Sequence, residues 1–114
     1  MYIKHLKDCC PFIAGDNSHL REIMNPRKER LEIRYSLAWA RVLPGNKTLP
    51  HKLKFAEVYY IIKGTGRMHI NNEEKLVSEN DTIYIPPDAI QFIRGTWGQI
   101  SKLDNSLSFA SVFS

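Results

Sequence analysis

The sequence predicts an all-β protein, with short strands joined by tight turns into an antiparallel sandwich or barrel. Residues 31–43, "LEIRYSLAWARVL", alternate with period two: Leu31, Ile33, Tyr35, Leu37 and Trp39 on one side, Glu32, Arg34, Ser36 and Ala38 on the other. That is the pattern of a long half-buried strand. The later apolar runs "RMHI", "EKLV", "TIYI" and "AIQFI" each stop at a turn signal: Asn71-Asn72, "SEND", Pro86-Pro87-Asp88, and the stretch from Gly95 to Gly98. Strands this short and this closely punctuated leave no room for the helical crossovers of a parallel sheet.

Taken in order, residues 17–25, "NSHLREIMN", open on the capping types Asn17 and Ser18 and read as a helical turn or a short strand. Pro44-Gly45-Asn46 ends the 31–43 strand, and an extended run resumes near Thr48. Glu57 to Ile62, rich in Val, Tyr and Ile, forms the next strand. Gly64-Thr65-Gly66 closes it, supplying the positive φ and close approach of a tight connection. With no helix behind it and no Lys-Ser/Thr, "GTG" is not a phosphate loop. The last run, "NSLSFASVFS", sets Leu107, Phe109, Ser111 and Phe113 against small residues and reads as a final strand. A chain of 114 residues fits one domain, with residues 1–30 as an N-terminal arm and residues 31–114 as the barrel.

Composition narrows the class. Hydrophobic residues make up 43% and charged residues 25%, the balance of an ordinary globular protein. No run approaches the ~20 apolar residues of a membrane helix. Lys4, His5, Lys7 and Asp8 interrupt the N-terminus before a signal-peptide core can form, so a cytoplasmic location is expected. Cys9 and Cys10 are adjacent, unsuited to a loop-closing disulfide, and read as reduced small hydrophobes. The net charge of +4 offers weak general attraction for anions.

The chemistry gathers around residues 51–61. On an extended chain His51 and Leu53 share one face, and a bend near Phe55-Ala56 returns Glu57 to that face with Tyr59 and Ile61. An imidazole and a carboxylate so placed are ligand types for Zn, Mn, Fe or Ni. Lys52, Lys54 and Lys63 form a solvated outer face. His69 is out of phase with Met68 and Ile70 and belongs on the solvent side, while His5 and His19 lie apart from the cluster.

Gly45-x5-His51-x-Leu53-x3-Glu57-x6-Gly64 resembles the first motif of the cupin superfamily, in which His-x-His precedes the glutamate. The run Asn80 to Gln91 resembles the second motif, where the family has Gly-Asp, an Ile-Pro-Pro-Gly step and a histidine. The strand "EVYYIIKGTGRMHI" is similar to small single-domain cupins of the mannose-6-phosphate-isomerase-like kind. The stretch "RGTWGQISKLDN" departs most from the family pattern, and Trp97 within it is read as a packing residue, with a pocket mouth or dimer surface as the alternative.

The resemblance implies a cupin jelly-roll β-barrel of two antiparallel sheets, with a pocket lined by His51, Leu53, Glu57, Tyr59, Ile61, Gln91 and Ile93. It also implies a homodimer, for which the 31–43 strand and the N-terminal arm are expected to offer unpaired edges. Position by position, His51 matches the first metal histidine and Glu57 the glutamate, while Leu53 replaces the second histidine and Gln91 the third. Leucine cannot coordinate, and glutamine offers only an amide oxygen. The remaining metal set is His51, Glu57 and Gln91, with Tyr59 as a further oxygen, holding one divalent ion more weakly than a full cupin set.

Three functions follow, in this order. The first is a cupin that binds a small polar metabolite, sugar-like or otherwise, with a weakened or absent metal site. The second is a metal-dependent isomerase, lyase or oxygenase in which the metal is the Lewis acid and Glu57 or His51 moves a proton. The third is a basic regulatory or nucleic-acid-associated protein. That one lacks the interleaved aromatic and basic residues of RNA-binding strands, so nucleic acid is not an expected partner.

Overall fold

The computed structural model describes residues 1–96 and 106–114. Nine strands occur among these residues: β1 (Phe12–Ile13), β2 (His19–Met24), β3 (Ser36–Val42), β4 (Glu57–Lys63), β5 (Gly66–Ile70), β6 (Glu73–Val77), β7 (Thr82–Ile85), β8 (Gln91–Gly95) and β9 (Leu107–Phe113). They form a six-stranded sheet in the order β1-β2-β3-β9-β4-β7 and a three-stranded sheet in the order β6-β5-β8, with every pairing antiparallel. This is the expected all-β jelly roll. The only described helix is the 3-10 turn Leu6–Asp8, and among the described residues no helix is long and apolar enough to cross a membrane.

The alternation in residues 31–43 marks a strand, but a shorter one that buries its small residues. Within β3, Ser36, Ala38, Ala40 and Val42 are buried, while Leu37, Trp39 and Arg41 are half-buried on the outer face. The cause lies across the sheet. Ala40 stands opposite Phe109, and Ser36 opposite Phe113, so β3 must be small where β9 is large. On the outer side the Arg21 guanidinium lies 6.0 Å from the Trp39 ring centre.

Two expectations about the first third of the chain change. Residues 17–25 contain no helix: His19–Met24 is strand β2, paired along β3. The 31–43 segment offers no free edge either, because β3 lies between β2 and β9. Pairing of β1 and β2 into the six-stranded sheet makes the N-terminal arm part of the barrel wall, and the open edges are those of β1 and β7. Trp97 and most of its loop lie outside the described residues.

The departures from the second cupin motif keep its backbone. Asn80 (φ 71) and Asp88 (φ 62) stand where the family has glycine, and both hold the left-handed conformation that Asn and Asp tolerate best after glycine. Gly64 is more constrained: at φ +85, an added Cβ would lie 2.7 Å from the Ser106 carbonyl oxygen. Gly66 keeps a negative φ and serves only close approach, its Cβ position lying 2.9 Å from the Arg94 carbonyl oxygen. Between the sheets, Ile61, Met68, Val77, Ile85, Ile93, Leu107 and Phe109 form the apolar core.

Candidate functional site

Strand β4 builds the site by simple alternation. Glu57, Tyr59 and Ile61 point inward and are buried, while Val58, Tyr60 and Ile62 point outward. The chain bends at Lys54-Phe55 ahead of it, as the sequence predicts. Opposite, the segment carrying His51 runs beside β8: the His51 N–H donates to the Gln91 carbonyl at 3.0 Å and the Gln91 N–H to the His51 carbonyl at 2.8 Å. Such a reciprocal pair sets the two side chains on one face. The Glu57, Tyr59, His51 and Gln91 positions of the two motifs are thereby brought to one region.

Hydrogen bonds tie three of these side chains to one another and to Ser111. The Gln91 amide nitrogen donates to Glu57 Oε1 at 2.7 Å, and the Ser111 hydroxyl donates to Glu57 Oε2 at 2.5 Å. The Tyr59 hydroxyl donates to Gln91 Oε1 at 3.1 Å. All four residues are buried, so a closed chain of neutral donors satisfies a carboxylate that would otherwise be costly to bury. Gln91 is the link between the sheets, since Glu57, Tyr59 and Ser111 belong to the six-stranded one.

His51 stands apart from this chain. Its Nδ1 lies 3.2 Å from the Leu49 carbonyl oxygen, which only accepts, so Nδ1 carries the hydrogen. In the neutral ring Nε2 is then the acceptor nitrogen. Leu53 contributes no donor atom. Among the described residues, no three His, Cys, Asp or Glu side chains form a group that would hold a metal ion.

A cavity of about 460 Å³ opens beside the cluster. Its walls are Glu57 and Tyr59 of β4, Phe109, Ser111 and Phe113 of β9, and the segment from Leu49 through His51 to Leu53. The β1–β2 turn, Ala14 to Ser18, covers it. That turn is fixed by Asp16, whose Oδ1 accepts from the Ser18 N–H at 3.0 Å and the Ser18 hydroxyl at 2.6 Å, and whose carbonyl accepts from the Leu49 N–H at 2.7 Å. Tyr59 packs against Phe109 with ring centres 4.3 Å apart and the ring planes tilted by 34°. Burial pushes the Tyr59 phenol well above its ordinary pKa, and the charges of Glu57 and then Asp16 push it further.

Of the seven expected pocket residues, His51, Leu53, Glu57 and Tyr59 line the cavity. Ile61 and Ile93 do not: both are fully buried in the core, a layer deeper, where the sheets close together. Gln91 lies behind the wall and acts through Glu57 and Tyr59. Asp16, Ser18 and Phe113 escaped the sequence reading. The alternation of the last strand already put Phe113 and Ser111 on the face of Phe109, but nothing local ties the "AGDNS" turn to this cavity. A larger depression of about 770 Å³ lies between the free edges of β6 and β7, and none of the seven expected pocket residues lines it.

Three sets of likenesses bear on this site. Residues 40–94 match the model of the AraC-like ligand binding domain, a span running from β3 to β8. An uncharacterized protein of Methanocaldococcus jannaschii is 45% identical over 78 residues, covering 68% of this chain, and this chain spans 62% of that relative's length. Among solved structures, the polyketide cyclase RemF of Streptomyces resistomycificus superposes with a TM-score of 0.81 at 18% identity, over 99% of this chain and 78% of that one. A predicted oxalate decarboxylase of Thermotoga maritima gives 0.78 at 18% identity, over 97% and 96%. A cupin 2 conserved barrel protein of Salinispora arenicola gives 0.77 at 16% identity, over 99% and 87%. At such identities the structural likenesses speak for the fold alone. With its jelly-roll topology and these likenesses, the chain has the fold of the cupin barrels, and residues 40–94 are similar to the AraC-like ligand binding domain.

Proposed function

We propose that the chain binds a small polar metabolite in the cavity under the β1–β2 turn and needs no resident metal to do so. One observation carries this reading: each carboxylate oxygen of Glu57 already accepts a hydrogen bond, from the Gln91 amide and from the Ser111 hydroxyl, and Gln91 is held by it. A metal at Glu57 and Gln91 would have to break that chain, and Leu53 gives nothing in exchange. The match to a ligand binding domain and a cavity within the usual ~300–1,000 Å³ of small-molecule sites support the reading.

One observation favours a second reading. The Nδ1 to carbonyl contact of His51 is the kind of support that metal-bound imidazoles use, and it leaves Nε2 available. In that case the protein is a metal-dependent enzyme; the Thermotoga neighbour is itself named a predicted oxalate decarboxylase. Metal analysis after incubation with Zn, Mn, Fe or Ni separates the two. The binding-protein reading expects far less than one ion per chain, unchanged in His51→Ala. One ion per chain that is lost in His51→Ala overturns it.

We further propose that the subunits pair through the outer face of the six-stranded sheet. Val58, Tyr60, Ile62 and Tyr84 are 36%, 43%, 45% and 63% exposed there, an apolar surface where a solvated sheet would carry polar residues. Light scattering should give a dimer for the native chain and a monomer for Tyr60→Lys. A monomeric native chain at tens of micromolar overturns the pairing.

A further inference from the structure

We infer that the cavity takes a small organic cation, an amine or ammonium group carrying apolar bulk, in preference to a neutral or anionic ligand of the same shape. The inference rests on reading the cavity as a ligand site and names the class of ligand it holds.

The charge inventory is the first support. The whole chain is basic, with a net charge of +4, yet the described residues that line the cavity include Asp16 and Glu57 and no lysine or arginine. The sign of the wall is thus opposite to the sign of the protein. No cationic side chain is bonded to Glu57, whose partners are an amide and a hydroxyl. A buried carboxylate with neutral donors alone is compensated only in part, and a cation entering beside it completes the compensation.

The hydrogen-bond inventory points the same way. The donors in the wall are already committed: the Ser18 hydroxyl to Asp16, the Ser111 hydroxyl to Glu57, and the Tyr59 hydroxyl to Gln91. What is left are acceptors. Asp16 Oδ2 has no partner among the described residues, His51 Nε2 is an acceptor in the neutral ring, and each Glu57 oxygen keeps a further lone pair. A carboxylate or phosphate entering here would shed its water and meet lone pairs. An ammonium group would meet acceptors in this wall.

The rest of the wall supplies the apolar component. Leu20, Leu49, Leu53, Tyr59, Phe109 and Phe113 line the space, and the faces of aromatic rings attract a cation when water is excluded. Asp16 and Glu57 line the same cavity, although one comes from the covering turn and the other from β4.

The test is isothermal titration of the full chain with three probes of matched shape: 2-phenylethylamine, 2-phenylethanol and phenylacetate. We expect the amine to bind about tenfold or more tighter than the alcohol, a margin one well-placed charge contact provides, and phenylacetate weakest of the three. Asp16→Asn, which retains the Oδ1 acceptor for Ser18, should weaken amine binding by about tenfold and leave the alcohol unchanged. The unchanged alcohol titration also reports that the variant cavity has folded. Phenylacetate or phenylethanol binding as tightly as the amine, an amine affinity indifferent to Asp16→Asn, or no binding by any of the three overturns the inference. The binding-protein reading fails on a different measurement, the His51-dependent uptake of metal.

Discussion

Two polar clusters, each built across strands, sit on opposite sides of the three-stranded sheet. Inside, Tyr59, Gln91, Glu57 and Ser111 are linked by three hydrogen bonds among buried groups, and the two made by Gln91 join the sheets. Outside, Arg67 and His69 of β5 face Glu74 of β6, His69 stacks on Phe92 of β8 at 4.1 Å, and the Lys47 ammonium lies 5.2 Å from the Phe92 ring centre. The inner cluster sets one buried carboxyl group among an amide and hydroxyls, and the outer one sets its ion pairs at the surface. Burial reverses their expected importance. A group lost inside leaves its partners without any substitute, whereas water replaces whatever is lost outside.

The contrast is tested first where its effect is largest. Gln91→Leu removes the donor to Glu57 Oε1 and the acceptor for the Tyr59 hydroxyl while keeping the site apolar and of similar volume. Leaving a buried carboxylate oxygen and a buried phenol unpaired should lower stability by about 3 kcal/mol. Urea denaturation reads this as a lower midpoint at unchanged slope. A loss below about 1 kcal/mol would mean that water reaches the inner cluster and that it is not the tie between the sheets.

Gln91 also shows where the sequence was informative and where it was not. The turn signals predicted an antiparallel sandwich or barrel, and the resemblance of the two motifs implied the jelly roll and grouped His51, Glu57 and Gln91. Even the glycine substitutes Asn80 and Asp88 are residues able to hold the same backbone conformation. Alternation along β3 established that the strand has two faces, but not which of them turns inward. That depends on Phe109 and Phe113, about seventy residues away, taking the room beside Ala40 and Ser36. Depth is equally nonlocal: Ile61 and Ile93 do face inward, yet they lie in the core because the sheets approach each other there. Asp16 reaches the cavity only because the β1–β2 turn docks on Leu49, a contact between distant parts of the chain.

A smaller effect is expected at the other end of the inner chain. Tyr59→Phe deletes one hydroxyl and one hydrogen bond, a loss of about 1 kcal/mol near neutral pH. Its pH dependence carries a definite sign. The folded phenol is held above the ordinary value of 10.0, first by burial and then by Glu57 and Asp16. Its stabilising contribution is therefore complete below pH 10.0 and declines as pH rises beyond that value, because the unfolded chain loses the phenolic proton first. The stability gap between the native chain and Tyr59→Phe should be constant up to about pH 9 and narrower at about pH 11. A gap that widens there would show the phenol to be ionised in the folded state.

The smallest effect belongs to the outer row. Glu74 faces both Arg67 and His69, but its side chain is 43% exposed and that of Arg67 41%. Glu74→Gln removes the charge and keeps a polar side chain of the same length, so solvent takes over from the ion pair. Stability should change by less than about 0.5 kcal/mol in low salt, and the difference should vanish at high ionic strength. A salt-independent loss approaching that of Gln91→Leu would place the His69–Phe92 stack and its ion pair among the contacts that hold β5, β6 and β8 together. The two clusters would then differ in position alone, and burial would not be what ranks them.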